Sequence, residues 1–300
     1  MRVEQTTSSL STFSNTSSSS IPPTIVNYTS EKNTGIQPTR LTRHAIHYIV
    51  RGECYIYDAD RSLHASKGDI LFLDEGYHHI EQIVESGSAF EQIIIYIDSS
   101  ALHHIITTLG SNFDLSVRNT HSCVNCQRVS SIVDTPQGSL RNYFSNLTTY
   151  TKQDDFRHDH ASEIIKLSEL IYIILRGSDG CLKSKLIASI DTTKATFQQV
   201  IHNHILKDTS VEELASKCNR SMTSFKKEFK RIYELPPHQW FLRQRLNHSR
   251  LLLISTKKSI AEVGVESTFP NTSHFIKLFR KFYGTTPAIY RQEYEKNYNG

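Results

Sequence analysis

The sequence has no run of eighteen apolar residues. A helix needs about that length to cross the hydrocarbon core of a bilayer, so no membrane span is expected. Also missing is the pattern of a secretory leader, a basic start followed by a short hydrophobic stretch, and a cytoplasmic protein is expected. Cysteine is scarce and odd in number, five in 300 residues, which argues against a scaffold of disulfides. Residues 1 to about 35 lack periodicity. They are rich in Ser and Thr, with Ser17 to Ser20 in a row and Pro22-Pro23, and read as a flexible, disordered tail.

What is present suits two globular domains plus that tail. Charge separates the two. From residue 190 onward there are eighteen Lys and Arg against ten Asp and Glu, a net of +8; the remainder holds sixteen against twenty, a net of −4. A basic C-terminal unit beside an acidic N-terminal one suits a DNA-binding module with a separate regulatory module. A solvated surface could carry the same excess, so charge alone does not decide.

An internal repeat does decide. Ile260, Val263 and Gly264 are spaced as one face of a helix; Thr268, Phe269, Pro270 and Asn271 interrupt the pattern as a turn. A second helix follows, with Phe275, Leu278, Phe279 and Phe282 assigned to its core side and Thr272, Ser273, His274, Lys277, Arg280 and Lys281 to the other. Tyr283-Gly284 stops it, and Thr286-Pro287 starts another helix. Upstream, Val211, Leu214, Ala215 and Cys218 form the same short helical face, Asn219-Arg220-Ser221 the turn, and Phe225, Phe229 and Ile232 the second helix, with Lys226, Lys227, Lys230 and Arg231 between. Phe225, Phe229, Tyr233 and Pro237 precede Phe275, Phe279, Tyr283 and Pro287 by fifty residues each, whereas Val211 precedes Ile260 by forty-nine, so the second turn is one residue longer. Between the copies, His238 to Ser255 reads as one helix of about 27 Å. Phe241, Leu242, Leu246, Ser249, Leu252 and Leu253 form its core stripe, with Arg243 and Arg250 elsewhere. Phe197, Val200, Ile201 and Ile205 form a first helix under the first copy.

The Phe-x3-Phe-x3-Tyr endings, the Ile-x-x-Val-Gly opening and their order and spacing resemble the DNA-binding domain of the AraC/XylS transcription regulators, over roughly residues 190 to 293. Gly264 stands where the family usually has Ala. Asn219 and Thr268 stand where it has the turn Gly, and Glu234 replaces the first helix-stop Gly. Asn tolerates a left-handed backbone; Thr and Glu do so less readily. The resemblance implies two helix-turn-helix motifs whose second helices enter the major groove. It assigns Thr223, Lys226 and Lys227 to the base-facing side of the first, and Thr272, Ser273, His274 and Lys277 to that of the second. Lys230, Arg280 and Lys281 are assigned to phosphates, which position the protein without specifying sequence. Each lysine could instead be a plain solvated charge.

The first hundred residues read differently. Ala45 to Val50, Cys54 to Tyr57, Ile70 to Leu73 and the β-branched Ile93 to Ile97 read as short strands, separated by Arg51-Gly52, Asp58-Ala59-Asp60, Lys67-Gly68-Asp69 and Asp74-Glu75-Gly76. Such spacing suggests a small antiparallel barrel or sandwich. The order of these elements resembles the cupin-like sensor domain of the same regulator family. A cupin-type metal-dependent enzyme with an accessory helical domain is the rival reading. Gly68, Gly76 and His79 fit a second cupin motif, with Asp74 where Pro is usual, but the first motif is absent. His44 and His47 are spaced His-x-x-His, which sends them to opposite faces of a strand. His78 and His79 are read as exposed.

The middle of the chain is less telling. Cys123 and Cys126 form a Cys-x-x-Cys beside His121. A zinc site would need a second pair, which Cys181 and Cys218 do not supply by sequence, and no strand-to-helix setting for a redox motif is visible. These are read as buried or half-buried thiols. Leu140, Phe144, Leu147 and Tyr150 give one amphipathic stretch. Ile164, Leu167, Ser168, Ile171, Ile174 and Leu175 give another, available to pack on its own barrel or to form a dimer. Gly177 to Gly180 is the expected domain break, followed by a short helix or linker from Cys181 to Ile190.

The expected protein is an α+β chain with no catalytic residue, metal or cofactor. It has a tail over 1–35, a cupin-like small β-barrel with trailing helices for regulation and dimerisation over 36–180, and an all-α domain over 190–295 with two helix-turn-helix motifs joined by a long helix. Its expected partner is double-stranded DNA. RNA polymerase, a small-molecule or protein effector and a second copy of the chain are further candidates.

Overall fold

The β-branched and aromatic runs of the N-terminal half pair into two antiparallel sheets. The computed structural model describes residues 24–58, 61–85, 87–113, 121, 123, 126, 129–153, 159–177, 180–189 and 197–298. Its strands are β1 (Ile25–Ser30), β2 (Gln37–Leu41), β3 (His44–Arg51), β4 (Glu53–Tyr57), β5 (Ser62–Ala65), β6 (Ile70–Leu73), β7 (Gly76–Ile83), β8 (Phe90–Ile97) and β9 (Ser131–Asp134). One sheet runs β1-β8-β3-β6-β9 and the other β2-β7-β4-β5. The sandwich they form is cupin-like.

Register explains why β6 and β8 are apolar along most of their length. Ile46 lies opposite Phe72 and Ile95, and Ala45 opposite Leu73. Ala45, Leu71, Leu73 and Ile94 face the inter-sheet core with Ile56, Ile80 and Phe90. Ile46, Ile70, Phe72, Ile93, Ile95 and Ile97 point the other way, into a second core. A strand covered on both faces has no reason to alternate. Between β3 and β4, Gly52 turns with φ +85, and a Cβ there would sit 2.6 Å from the Ile83 carbonyl oxygen, so only glycine fits.

Among the described residues, the second core is closed by α1 (Ser99–Phe113), α2 (Gly138–Tyr150), α3 (His160–Arg176) and α4 (Cys181–Ala188). Leu102, Phe144, Leu147, Leu167, Ile171, Ile174, Leu175 and Leu186 are buried there. The α3 stripe that could have served a dimer is therefore committed to its own sheet. The buried Glu163 carboxylate accepts from the Thr24 backbone N–H at 2.9 Å and fastens the start of β1 to α3. Lys185 of α4 reaches back to the Asp74 carboxylate at 2.6 Å and to the Val129 carbonyl. Burial by itself would raise Asp74, but the Lys185 ammonium and His44 hold its carboxyl well below the usual carboxylate range.

The C-terminal half is helical: α5 (Phe197–His202), α6 (Val211–Lys217), α7 (Met222–Tyr233), α8 (Pro237–Ser255), α9 (Ile260–Glu266), α10 (Thr272–Tyr283) and α11 (Pro287–Tyr298). Two aromatic-rich cores lie along α8. Trp240 and Phe241 join Phe225, Phe229 and Tyr233 in the first. Leu246, Leu252 and Leu253 join Val263, Phe269, Phe275 and Phe279 in the second. A third face of α8 rests on the β-sandwich, where His248 Nδ1 lies 3.1 Å from His79 Nε2 and Tyr77 meets the His248 ring edge-on.

Several expectations need correction. Residues 25–30, assigned to the tail, form β1, paired along its length with β8; residues 1–23 lie outside the described residues. The strands β2, β5, β7 and β9 were not foreseen, because Gln-Pro-Thr-Arg-Leu or Gly-Tyr-His-His-Ile-Glu-Gln-Ile carries little apolar alternation. His78 and His79 are buried, at 2% and 6% exposure, because α8 and the stretch after α5 cover that end of the sandwich. Phe282 is 50% exposed, not core. The cluster beneath α10 ends with Tyr283 and Tyr290, and Phe282 packs only its edge on Tyr283, with ring centroids 4.9 Å apart.

Candidate nucleic-acid interface

Each motif is built from the same local parts. Ser210 and Ser259 cap α6 and α9 with full capping boxes, each hydroxyl accepting from the N3 backbone and the Glu213 or Glu262 side chain accepting in return. Ser221 and Asn271 cap α7 and α10, accepting from Ser224 and His274 N–H groups. The three non-glycine residues standing at family glycine positions adopt the glycine conformation all the same. Asn219, Thr268 and Glu234 have φ of 51, 58 and 62. Gly284 ends α10 at φ 79 in the position that Glu234 holds at the end of α7.

This frame fixes which side chains face outward. Phe225 and Phe229, four apart, are fully buried, as are Phe275 and Phe279. Residues two and five places after the first phenylalanine of each pair then point away. Thr223, Lys226, Lys227 and Lys230 are exposed on α7; Ser273, His274, Lys277, Arg280 and Lys281 are exposed on α10, with Thr272 half-buried in its first turn. Arg231 is held by Glu228 at 2.8 Å, whereas Lys226, Lys227 and Lys230 have no carboxylate partner among the described residues. Each second helix thus presents a polar first turn followed by cations, the composition suited to base edges and phosphates. α8, nineteen residues with no glycine and with proline only at its start, is about 28 Å long and joins the two motifs without a hinge.

The two halves flank a half-open cavity of about 260 Å³ between β7, the turn after α5, α7 and α8. His78, His79, His202, Tyr233, Trp240 and His248 line it together with Tyr57 and Arg61. Burial holds His202 and His248 down at about 4, and His79 well below the usual imidazole range, so these rings are neutral near pH 7. Three lining atoms, His78 Nδ1, Tyr233 Oη and His248 Nε2, are buried without a hydrogen-bond partner. Sequence reading found neither this cavity nor the capping boxes. Ser-x-x-Glu before each short helix was the available signal for the boxes; the cavity joins residues more than a hundred positions apart and had none.

The cupin-enzyme alternative loses its ligands here. His44 turns to Asp74 at 3.4 Å, His47 to the Gln92 side-chain oxygen at 3.1 Å, and His79 to His248. They belong to three separate contacts and do not converge as metal ligands must.

Comparison with known proteins agrees with this arrangement. Residues 214–293 match a helix-turn-helix domain model, and residues 44–184 match the model of the ExsA N-terminal regulatory domain. The chain is 21% identical over 253 residues to the HTH-type transcriptional regulator ExsA of Pseudomonas aeruginosa, covering 82% of this chain and 85% of that protein. It is 20% identical over 244 residues to the virulence regulon transcriptional activator VirF of Yersinia enterocolitica, covering 81% and 87%. A crystal structure of ToxT from Vibrio cholerae aligns over 90% of this chain and 98% of that one, at 12% identity and a TM-score of 0.48. ExsA and VirF are, by name, transcription regulators. With both motifs, their order and the regulatory half accounted for, the chain belongs to the AraC/XylS family of transcription regulators and binds DNA through its C-terminal helix-turn-helix half.

Proposed function

We propose that the chain activates transcription by laying α7 and α10 in successive major grooves on one face of an asymmetric site. Thr223, Lys226 and Lys227 read one base cluster, and Thr272, Ser273, His274 and Lys277 the other; Lys230, Arg280 and Lys281 hold phosphates. The observation that carries this reading is the outward display of all these side chains except the half-buried Thr272 on two helices whose inward sides are locked by paired phenylalanines. Lys can donate to guanine O6 and N7, and Thr can bond a base edge or touch a thymine methyl. An activating role implies contact with RNA polymerase, and a DNA target implies work in the cytoplasm.

The domain division follows the same logic, with its bounds redrawn because β1 and α4 pack into the first half: residues 24–189 regulate and 197–298 bind. The effector is a small molecule taken into the cavity between the halves. The three buried, unpartnered polar atoms support this, since such atoms cost free energy until a ligand or water satisfies them. A homodimer would use the outer faces of α1 and α3, where Phe113 and Ile165 stay exposed.

Genome-wide DNA occupancy of the wild type against a Lys227→Ala, Lys277→Ala double variant tests the reading. Discrete sites sharing a two-cluster sequence, vacated by the variant while its abundance is unchanged, are expected. Equal occupancy by the variant would overturn the assignment of these faces.

A further inference from the structure

A second constellation lies in the regulatory half, apart from the DNA-reading helices and not among the residues that line the cavity. His121, Cys123 and Cys126 come from the stretch between α1 and β9; Cys181 is the first residue of α4, fifty-five positions later. Their four ligand atoms, three sulfurs and one imidazole nitrogen, all lie within 4.8 Å of one another. The His121 Nε2 to Cys181 Sγ distance is 3.3 Å. Cys126 is buried and the other three are half-buried. From these residues we propose that the chain holds a structural zinc ion, bound by His121, Cys123, Cys126 and Cys181.

The donor set is one of the standard closed sets for structural zinc, three thiolates and one imidazole, and Cys-x-x-Cys is the usual spacing of its near pair. Zn–S of about 2.3 Å and Zn–N of about 2.0–2.1 Å place tetrahedral ligand atoms roughly 3.3–3.8 Å apart, so the set closes on a metal with shifts of about 1 Å or less. Burial and the neighbouring thiols push the Cys181 thiol up to about 12, so metal binding there displaces protons. The Ser184 hydroxyl oxygen, one turn along α4, lies 4.0 Å from Cys126 Sγ, the place of an outer partner that orients a ligand. A reducing compartment keeps the three thiols available for metal rather than paired with one another.

The ion would do mechanical work. It ties the stretch after α1 to the start of α4, the last helix before the DNA-binding half. The same helix is pinned four residues further on by Lys185 to Asp74. Sequence alone could not supply the fourth ligand, because Cys181 is brought alongside only when α4 packs against the core.

Full-length protein, purified under reducing conditions and washed with a mild chelator, is assayed for zinc by elemental mass spectrometry. About one ion per chain is expected. Cys181→Ser and His121→Ala should each lower zinc content well below that, while Cys54→Ser and Cys218→Ser, outside the cluster, should not. Cobalt(II) exchanged into the wild type should show thiolate charge-transfer bands and the visible bands of a tetrahedral site. Should the ligand variants fail to fold, the wild type still decides: a thiol-blocking reagent should release its zinc as the three cluster cysteines are modified. The proposal is overturned if the wild type holds no zinc, if Cys181→Ser and His121→Ala keep it in full, or if reduced protein carries a disulfide among Cys123, Cys126 and Cys181.

Discussion

Thr268 is the residue under most strain in the DNA-binding half. It is β-branched, its φ is 58, and its hydroxyl is buried without a partner. A left-handed backbone costs an L-residue roughly 1–2 kcal/mol, so Thr268→Gly should stabilise this half by about 1 kcal/mol, less what the unfolded chain gains in freedom. A melting temperature raised by about 4–8 °C is the corresponding readout, and a lowered one would mean that this turn is held by something other than its backbone conformation. The recognition residues divide differently. Lys277→Ala and Lys227→Ala remove exposed cations and should weaken specific binding while leaving melting unchanged. Phe279→Ala empties a fully buried site and should cost about 3–5 kcal/mol, unfolding the second motif. If Lys277→Ala instead melted the protein and left sequence preference intact in what still folds, the two faces of α10 would be exchanged. At this scale the sequence was largely readable, because a four-residue phenylalanine spacing states which side is inward. Phe282 escaped because periodicity gives a direction but not where the core beneath it ends.

Among the elements, α8 was half legible. Its apolar stripe announced the helix and its two cores. Its third face did not, because Asn247 and His248 are polar and yet buried against the β-sandwich. The same blindness hid β2 and β7, whose partners rather than their composition make them strands. β6 and β8 stood out for the opposite reason, being apolar on both faces. α4 offers a test of how elements are tied together. Its Lys185 is buried against Asp74, and removing one member of a buried pair leaves the other charge uncompensated. Lys185→Ala should destabilise the regulatory half by about 3–5 kcal/mol in denaturant unfolding, whereas Lys67→Ala, at an exposed turn before β6, should change it by less than about 0.5 kcal/mol. Equal effects would mean that the Lys185–Asp74 contact does not hold α4.

The whole molecule has a histidine-lined seam, and that sets its response to acid. Burial holds His202 and His248 in the seam, and His47 within the β-sandwich, at about 4 in the folded protein, against about 6.5 in an unfolded chain. The unfolded chain therefore binds more protons between these values, and stability is full above about pH 6.5 and lost as pH falls toward about 4. Below that, the depressed Asp74 adds a further loss as its carboxyl is protonated. Melting temperature should fall through this window; a flat profile from pH 7 to pH 5 would show that the rings are solvated and the seam is open. The central claim is that α8 presents α7 and α10 to one face of one duplex. The base clusters should then lie about 10–10.5 base pairs apart, one helical turn. Inserting about five base pairs between them rotates one cluster to the opposite face, and bending DNA to compensate costs several kcal/mol. The decisive measurement is binding and footprinting of the full chain on the native site and on the five-pair insert. A sharp loss of affinity on the insert is predicted; retained affinity with both clusters still protected would contradict the rigid arrangement.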